Sequence, residues 1–341
     1  RCGEFDFKIK LWNTDCPNLY DVEFILRGRG KVLDRVGSYF GMRKIETDEK
    51  GIRFNNAQFY QKLVLAQNYW PETGLTMPDE EAGRKDILLA KQAGFNGLRI
   101  HQKIEDERFL FLCDTEGLLV WAEYPATYEF NDRAISAIAA EWLEAVRQQY
   151  NHPCVIAWVP FNESWGIPNV YTDKLQQRFT EGIYSLTKAF DPMRPVVCND
   201  GWEHTCSDIV TVHDYDGCVE RVNDRYKNDM KDILDNKIAP TNYRFVMAKG
   251  YEYQGQPIVV SEYGGFKLAG TEGWGYDGEA KDAEDLVRKY DEITSAYKKM
   301  EKVCGFCYTQ LTDVYHETNG LMSFDRTPKV PLKEIKKINE R

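Results

Sequence analysis

The sequence predicts an α/β chain built as a (β/α)8 TIM barrel, with a shorter β segment in front of it. Two patterns and one length carry that expectation. From about residue 57 short apolar runs alternate with amphipathic stretches of helix length. Nothing matches GxGxxG or GxxxxGK, the glycine-rich loops of a nucleotide-binding sheet. A chain of 341 residues accommodates one barrel of about 250 residues and a smaller piece.

Residues 1 to about 55 show strand-length alternation at Phe5–Leu11, Val22–Leu26 and Lys31–Val36, broken at Asn13, Asp15, Pro17, Gly28 and Gly30. This segment reads either as a small satellite sheet or as the end of a larger β domain. It opens at Arg1 in the middle of an alternating pattern, without a signal peptide, so an N-terminal part is expected to be missing. Eight strands follow: Phe59–Ala66, Gly97–His101, Leu118–Glu123, Val155–Phe161, Pro195–Asn199, Ile209–His213, Pro257–Glu262 and Val303–Gln310. The helices expected between and after them are Asp79–Ala93, Asp106–Glu116, Asp132–Gln149, Tyr171–Phe190, Cys218–Asn236, Asp282–Lys302 and Leu332–Glu340.

Composition narrows the function. The net charge is −10, and no Lys/Arg stripe of the kind that binds a phosphate backbone is present, which excludes a nucleic-acid partner. The Lys-rich tail from Lys329 to Lys337 reads as a solvated helix face. No run of about 18 apolar residues occurs, so no membrane-spanning helix is expected. Nine cysteines are scattered from Cys2 to Cys307 among apolar neighbours, which favours reduced core thiols and a cytoplasmic setting. The lone CxxC at Cys304 and Cys307 lies in a strand-like run and reads as core packing, and the histidines show no metal-ligand spacing. Neither a metal nor a cofactor is expected, and the oligomeric state stays open.

In such a barrel the reactive groups sit at the carboxyl ends of the strands. Those ends carry Gln67, Asn68 and Trp70; Arg99 and His101; Glu123; Asn162, Glu163 and Trp165; Asp200 and Trp202; His213, Asp214 and Tyr215; Glu262; and Tyr308, Gln310 and Asp313. A rim of carboxylates, amides and aromatic rings suits a sugar, whose hydroxyls need planar hydrogen-bonding partners and whose C–H faces stack on rings. Two stretches share one layout. VIAWVPFNESWG (155–166) and PIVVSEYGG (257–265) each run a buried strand into a glutamate, giving Glu163 and Glu262 as an acid/base or acid/nucleophile pair.

Asn162 is placed to bind the hydroxyl next to the reacting carbon. Phe161 and Trp165 are expected to limit hydration of Glu163 and raise its pKa. Gly264 and Gly265 are expected to leave backbone space for a ligand. Glu123, Asp200 and Asp214 read as orienting groups. Arg99 and His101 read equally as a core salt-bridge pair or an electrostatic wall, Tyr215 as a carboxylate partner or a strand cap, and Trp70, Trp165 and Trp202 as core or sugar platform. The Asn162-Glu163-Ser164 match to an N-glycosylation acceptor reads as chance, because Asn162 ends a buried strand.

NHPCVIAWVPFNE (151–163) resembles the acid/base motif of glycoside hydrolase family two, the family of β-galactosidases, β-glucuronidases and β-mannosidases, and PIVVSEYGG resembles its nucleophile strand. SYFGMRKIE (38–46) is similar to the family's exit from an immunoglobulin-like β-sandwich into the barrel, and QLTDVYHETNGLMSFDRTPK (310–329) to its last strand and closing segment. The resemblance implies the end of such a sandwich at 1–51 and a catalytic barrel at 52–341. It further implies Glu163 as general acid/base and Glu262 as nucleophile of a retaining double displacement, with carboxyl groups about 5–5.5 Å apart. It implies substrate contacts from Asn162, Arg99, His101, Trp165, His213, Tyr215, Asn68, Trp70 and Tyr308, the last standing where many members have a tryptophan under the sugar.

The Asn-x-Lys pair by which β-glucuronidases read a carboxylate is replaced by Asn319-Gly320-Leu321, leaving Arg99 or Lys329 to substitute. The substrate expected is therefore a neutral β-hexoside, β-galactoside first and β-mannoside or β-glucoside next. A β-glucuronidase or β-mannosidase of the same family, and a carbohydrate-binding barrel without chemistry, are the rivals. The family's N-terminal sugar-binding domain is expected to be absent from this chain.

Overall fold

The computed structural model describes residues 9–341, so part of the strand expected at Phe5–Leu11 lies outside the described residues. The chain opens with a hairpin of β1 (Tyr20–Gly28) and β2 (Lys31–Phe40), paired antiparallel from Tyr20/Phe40 to Gly28/Lys31. A three-stranded antiparallel sheet of β3 (Ile45–Asp48), β4 (Gly51–Phe54) and β5 (Ala57–Gln58) follows. Then comes the alternation: β6 (Gln61–Ala66), α1 (Glu80–Gln92), β7 (Gly97–Ile100), α2 (Glu107–Glu116), β8 (Leu119–Glu123), α3 (Asp132–Gln149), β9 (Val155–Val159), α4 (Lys174–Phe190) and β10 (Val210–Asp214). It continues with α5 (Val219–Asn228), α6 (Met230–Leu234), β11 (Ile258–Gly264), the short pair β12 (Lys267–Leu268) and β13 (Glu279–Ala280), α7 (Ala283–Lys298), β14 (Val303–Thr309) and α8 (Leu332–Glu340).

Seven of these strands form one parallel sheet in the order β10-β11-β14-β6-β7-β8-β9. The stretch 195–200 lies against β9 as an eighth stave: Trp158 N–H donates to Pro195 O at 3.0 Å and Val197 N–H to Trp158 O at 2.9 Å. The expected strand Pro195–Asn199 is irregular for a local reason. Proline has no N–H for a ladder, and the next donors go to side chains, Val196 N–H to Asp208 Oδ2 at 2.9 Å and Cys198 N–H to Ser207 Oγ at 3.1 Å.

The helices begin where short acidic or amide side chains cap them. Asp79, Asp106, Asn131, Asp173 and Asp282 each accept a backbone N–H of the first turn of α1, α2, α3, α4 and α7. The helix expected from Tyr171 therefore starts only at Lys174, after its cap. The one expected at Cys218–Asn236 breaks into α5 and α6 around Asp229.

Asp114, at the end of α2, binds the front segment to the barrel: its carbonyl accepts from Trp12 Nε1 at 2.7 Å and its Oδ2 from Tyr39 Oη at 2.7 Å. The hairpin's other side is open, with Phe24, Leu26, Leu33 and Val36 more than half exposed. No disulfide joins the described cysteines, and no helix among the described residues is long and apolar enough to cross a membrane.

Candidate active site

Four strand ends deliver the central charges. β7 carries Arg99, β9 runs into Asn162 and Glu163, β10 carries His213, and β11 carries Glu262. The guanidinium of Arg99 is fully buried and every arm of it is used. Its Nη1 donates to Glu262 Oε1 at 2.6 Å, its Nη2 to Asn162 Oδ1 at 2.7 Å and lies 2.9 Å from Glu123 Oε2, and its Nε lies 2.9 Å from Asp200 Oδ2. A buried cation is tolerable only when paired in this way, and the surrounding carboxylates outweigh burial to hold its pKa well above the ordinary value. Both open readings of Arg99 thus meet in one group, since it is a core ion pair whose partner is Glu262.

Glu262 is fixed from both sides. Besides Arg99, the phenol of Tyr215 donates to its Oε2 at 2.5 Å, and burial with the nearby Glu262 charge keeps that phenol protonated far above neutral pH. Tyr215 is itself stacked on Tyr276 with ring centroids 3.7 Å apart. Of the two readings open for Tyr215, carboxylate partner is the one observed.

Glu163 sits differently. Its backbone is left-handed at φ +52°, as is Ser164 at +60°, a conformation that costs a non-glycine residue about 1–3 kcal/mol and persists only where neighbours enforce it. Here Glu163 N–H donates to Asp200 O at 2.9 Å, Ser164 N–H to Asn199 Oδ1 at 3.0 Å, and Ser164 Oγ to Glu203 Oε2 at 2.7 Å. The Glu163 side chain is 24% exposed against 4% for Glu262. His213 Nδ1 lies 2.7 Å from Glu163 Oε1, and its Nε2 lies 3.0 Å from Asp200 Oδ2.

Burial opposes a charge on His213, but Glu262 and Asp200 outweigh it and push the imidazole up to about 10. Burial likewise opposes the charge on Glu163, yet the hydrogen bond and positive charge of His213 prevail and hold this carboxyl below its ordinary range. The expected upward shift at Glu163 is therefore reversed. Phe161 packs into the core against Phe179 at 5.5 Å and Trp165 turns out to Tyr128 at 5.4 Å, so the nearest group in space is an imidazolium rather than an aromatic wall.

His213 Nδ1 lies 3.5 Å from Glu262 Oε2, and one carboxylate oxygen of Glu163 falls within 4.8 Å of one of Glu262. His101 flanks the pair, its Nδ1 3.4 Å from Glu123 Oε1 and 3.9 Å from Glu262 Oε1. With Gln67 it borders a cleft of about 960 Å³ that runs past Lys103 and Arg108 to Pro125 and Tyr128. Trp165, 47% exposed, stands with Tyr128 at the rim. Trp202 is buried edge-on to His213 at 5.5 Å.

Three expected substrate contacts are elsewhere. Asn68 turns its Nδ2 to Glu105 Oε2 at 2.5 Å. Trp70 is buried against Phe109 and lies under Arg326 and Lys103, at 5.3 and 5.1 Å. Tyr308 is fully buried between Tyr263 and Tyr290. Gly264 and Gly265, at φ +81° and +66°, make room for tyrosines rather than for a ligand, because a Cβ would meet the rings of Tyr308 at 2.3 Å and Tyr276 at 2.6 Å.

Lys329 is engaged by Asp313 Oδ1 at 2.6 Å, and Arg99 by Glu262 Oε1 at 2.6 Å. Asp214 pairs with Arg225 outside the cluster. Residue order alone missed Tyr276 and Glu317, which reach the site from loops; the aromatics inside the glycine-rich run 270–278 were the available signal for the first.

An eight-stave α/β barrel with paired acids at the carboxyl ends of its fourth and seventh strands is the class these features define. The chain belongs to the glycosyl hydrolases family 2: the TIM barrel domain of that family matches residues 45–341, and a second model of the family matches residues 5–43. The beta-galactosidase of Vibrio cholerae is 32% identical over 211 residues, 59% of this chain and 20% of that protein. The GH2 beta-galacturonidase of Eisenbergiella tayi shares the fold at a TM-score of 0.79 and 22% identity, over 97% of this chain and 60% of that one. An FMN-binding beta-glucuronidase from Facaelibacterium prausnitzii L2-6 does so at 0.80 and 19%, over 98% and 52%. The chain thus spans about a fifth of this curated relative.

Proposed function

We propose that this chain is the catalytic barrel of a β-glycosidase that keeps the configuration of its substrate, with Glu262 as nucleophile and Glu163 as general acid/base. The observation that carries the reading is the pair of carboxylates with oxygens within 4.8 Å. That close approach suits attack by one acid while the other protonates the leaving oxygen, as in retaining enzymes, whose two carboxyl groups stand about 5–5.5 Å apart.

In the first step a Glu262 oxygen attacks the anomeric carbon, the glycosidic C–O bond breaks, and Glu163 passes to the departing oxygen the proton it draws from His213 Nδ1, 2.7 Å away. In the second, Glu163 takes a proton from water, whose oxygen displaces Glu262. Arg99 and Tyr215 hold Glu262 in line throughout. Asn162 gives its carbonyl to Arg99, which leaves its amide N–H₂ to donate to the neighbouring sugar hydroxyl. His213 and Glu163 together keep one proton over the neutral range, shared across 2.7 Å.

A neutral β-hexoside, β-galactoside first, is the substrate class this reading favours, because Lys329 and Arg99 are both engaged by protein acids. We also propose that residues 1–51 end an immunoglobulin-like sandwich and that the barrel runs from 52 to 341. Hydrolysis of a panel of nitrophenyl β-glycosides, with Glu262→Ala beside the parent, tests the reading: turnover of neutral hexosides that the substitution abolishes supports it, and equal turnover by both proteins overturns it.

A further inference from the structure

We propose that Glu317 is the specificity residue that admits a neutral sugar and rejects a uronic acid; this rests on the glycosidase reading above. Glu317 lies on the loop after β14, and its neighbours fasten that loop to the β11–α7 connection, with Trp274 N–H donating to His316 O at 2.8 Å and Thr318 N–H to Trp274 O at 2.9 Å. Its side chain is half-buried. Gln67 Nε2 donates to its Oε2 at 2.9 Å and Asn319 Nδ2 to its Oε1 at 3.3 Å. Gln310 closes the ring, accepting from Gln67 at 3.1 Å and donating to Asn319 Oδ1 at 2.8 Å.

This ring sits at the ends of β6 and β14, across the barrel mouth from β9. In this proposal a hexose sits with its reacting carbon over Glu262 and beside Glu163 and its far end, the C4 hydroxyl and exocyclic C6, toward the Gln67–Glu317 ring, Gln67 being the member that borders the cleft. Each carboxylate oxygen has one amide donor and lone pairs to spare, so a sugar hydroxyl can donate there. A carboxylate at C6 brings a like charge and no proton, and repulsion of the wrong ligand is a standard route to specificity. The cations nearby are already engaged, Lys329 Nζ by Asp313 at 2.6 Å and Thr318 O at 3.0 Å, and His101 by Glu123 at 3.4 Å and Glu262 at 3.9 Å. Burial raises the Glu317 pKa, and the Glu262 charge adds to the shift while His101 opposes it, which ties this acid to the catalytic pocket.

The test is calorimetric binding at pH 7 of a neutral galacto-configured iminosugar and of its 6-carboxylate to the 341-residue chain, alongside turnover of nitrophenyl β-galactoside and β-galacturonide. The parent is expected to prefer the neutral ligand by about a hundredfold or more, Glu317→Gln to lose roughly tenfold of that preference, and Glu317→Lys to reverse it. A preference unchanged in both variants, with melting temperatures intact, overturns the proposal while leaving the glycosidase reading in place. A parent that neither binds an iminosugar nor turns over any glycoside overturns that reading and this inference with it.

Discussion

The ends of β9 and β11 hold the same residue type at the same address and give it opposite surroundings. At β11 the donors around Glu262 are a guanidinium and a phenol that stay protonated across the working range, and almost no solvent reaches the carboxylate. At β9 the partner of Glu163 is an imidazole that can take or return a proton, and about a quarter of the side chain is exposed. One carboxylate is held between two donors that keep their protons, while the other faces a group that exchanges one. Two identical acids in unlike surroundings are what the proposed division into nucleophile and acid requires.

The sharpest break is Glu262→Ala, expected to lower kcat by about 10⁴-fold or more while circular dichroism stays unchanged. Removing the other acid is graded by chemistry. Glu163→Ala is expected to slow substrates with poor leaving groups by about 10²–10⁴-fold and dinitrophenyl glycosides far less, because an activated phenol needs little protonation; equal losses on both would remove Glu163 from the acid role. Tyr215→Phe deletes one charge-assisted hydrogen bond to Glu262 and is expected to cost about ten- to a hundredfold in kcat with KM little changed.

His213→Gln probes the proton rather than the positions. With His213 present the pair keeps one proton until the pH approaches about 10; without it Glu163 must hold the proton alone, so the alkaline limb of kcat/KM is expected to move to lower pH. The stability sign follows from the same shift. A folded pKa of about 10 against an ordinary 6.5 means the charge stabilises fully below pH 6.5 and ceases to as the pH rises through 10. The melting-temperature gap between parent and variant is expected to narrow over that window. The smallest effect expected is Tyr308→Phe, which removes a buried hydroxyl that has no hydrogen-bond partner and lies away from the cleft; kinetics and stability are expected to stay near the parent. A tenfold rise in KM would return Tyr308 to the sugar site.

The barrel was legible because a period of two or 3.6 residues is imposed by burial on one face, and the strand ends then order the rim acids without further information. Direction was not legible. Tyr308 is one residue short of the end of β14, and its outward turn depends on the gap left by Gly264 in the next strand. Trp70 follows a left-handed Asn68 at φ +53°, which carries the chain away from the mouth. The Glu163 pKa was misjudged for a similar reason: Phe161 and Trp165 are neighbours in sequence, whereas His213, fifty residues on, is the neighbour in space. Tyr276 and Glu317 come from loops, where no period marks which residue faces inward.

The division of labour between the two glutamates is tested most directly by azide rescue, reading the anomeric configuration of the glycosyl azide by proton NMR. In Glu262→Ala azide should take the place of the missing nucleophile and give the inverted product, and in Glu163→Ala it should attack the glycosyl-enzyme and give the retained one. The same configuration from both variants, or the two exchanged, would contradict the assignment.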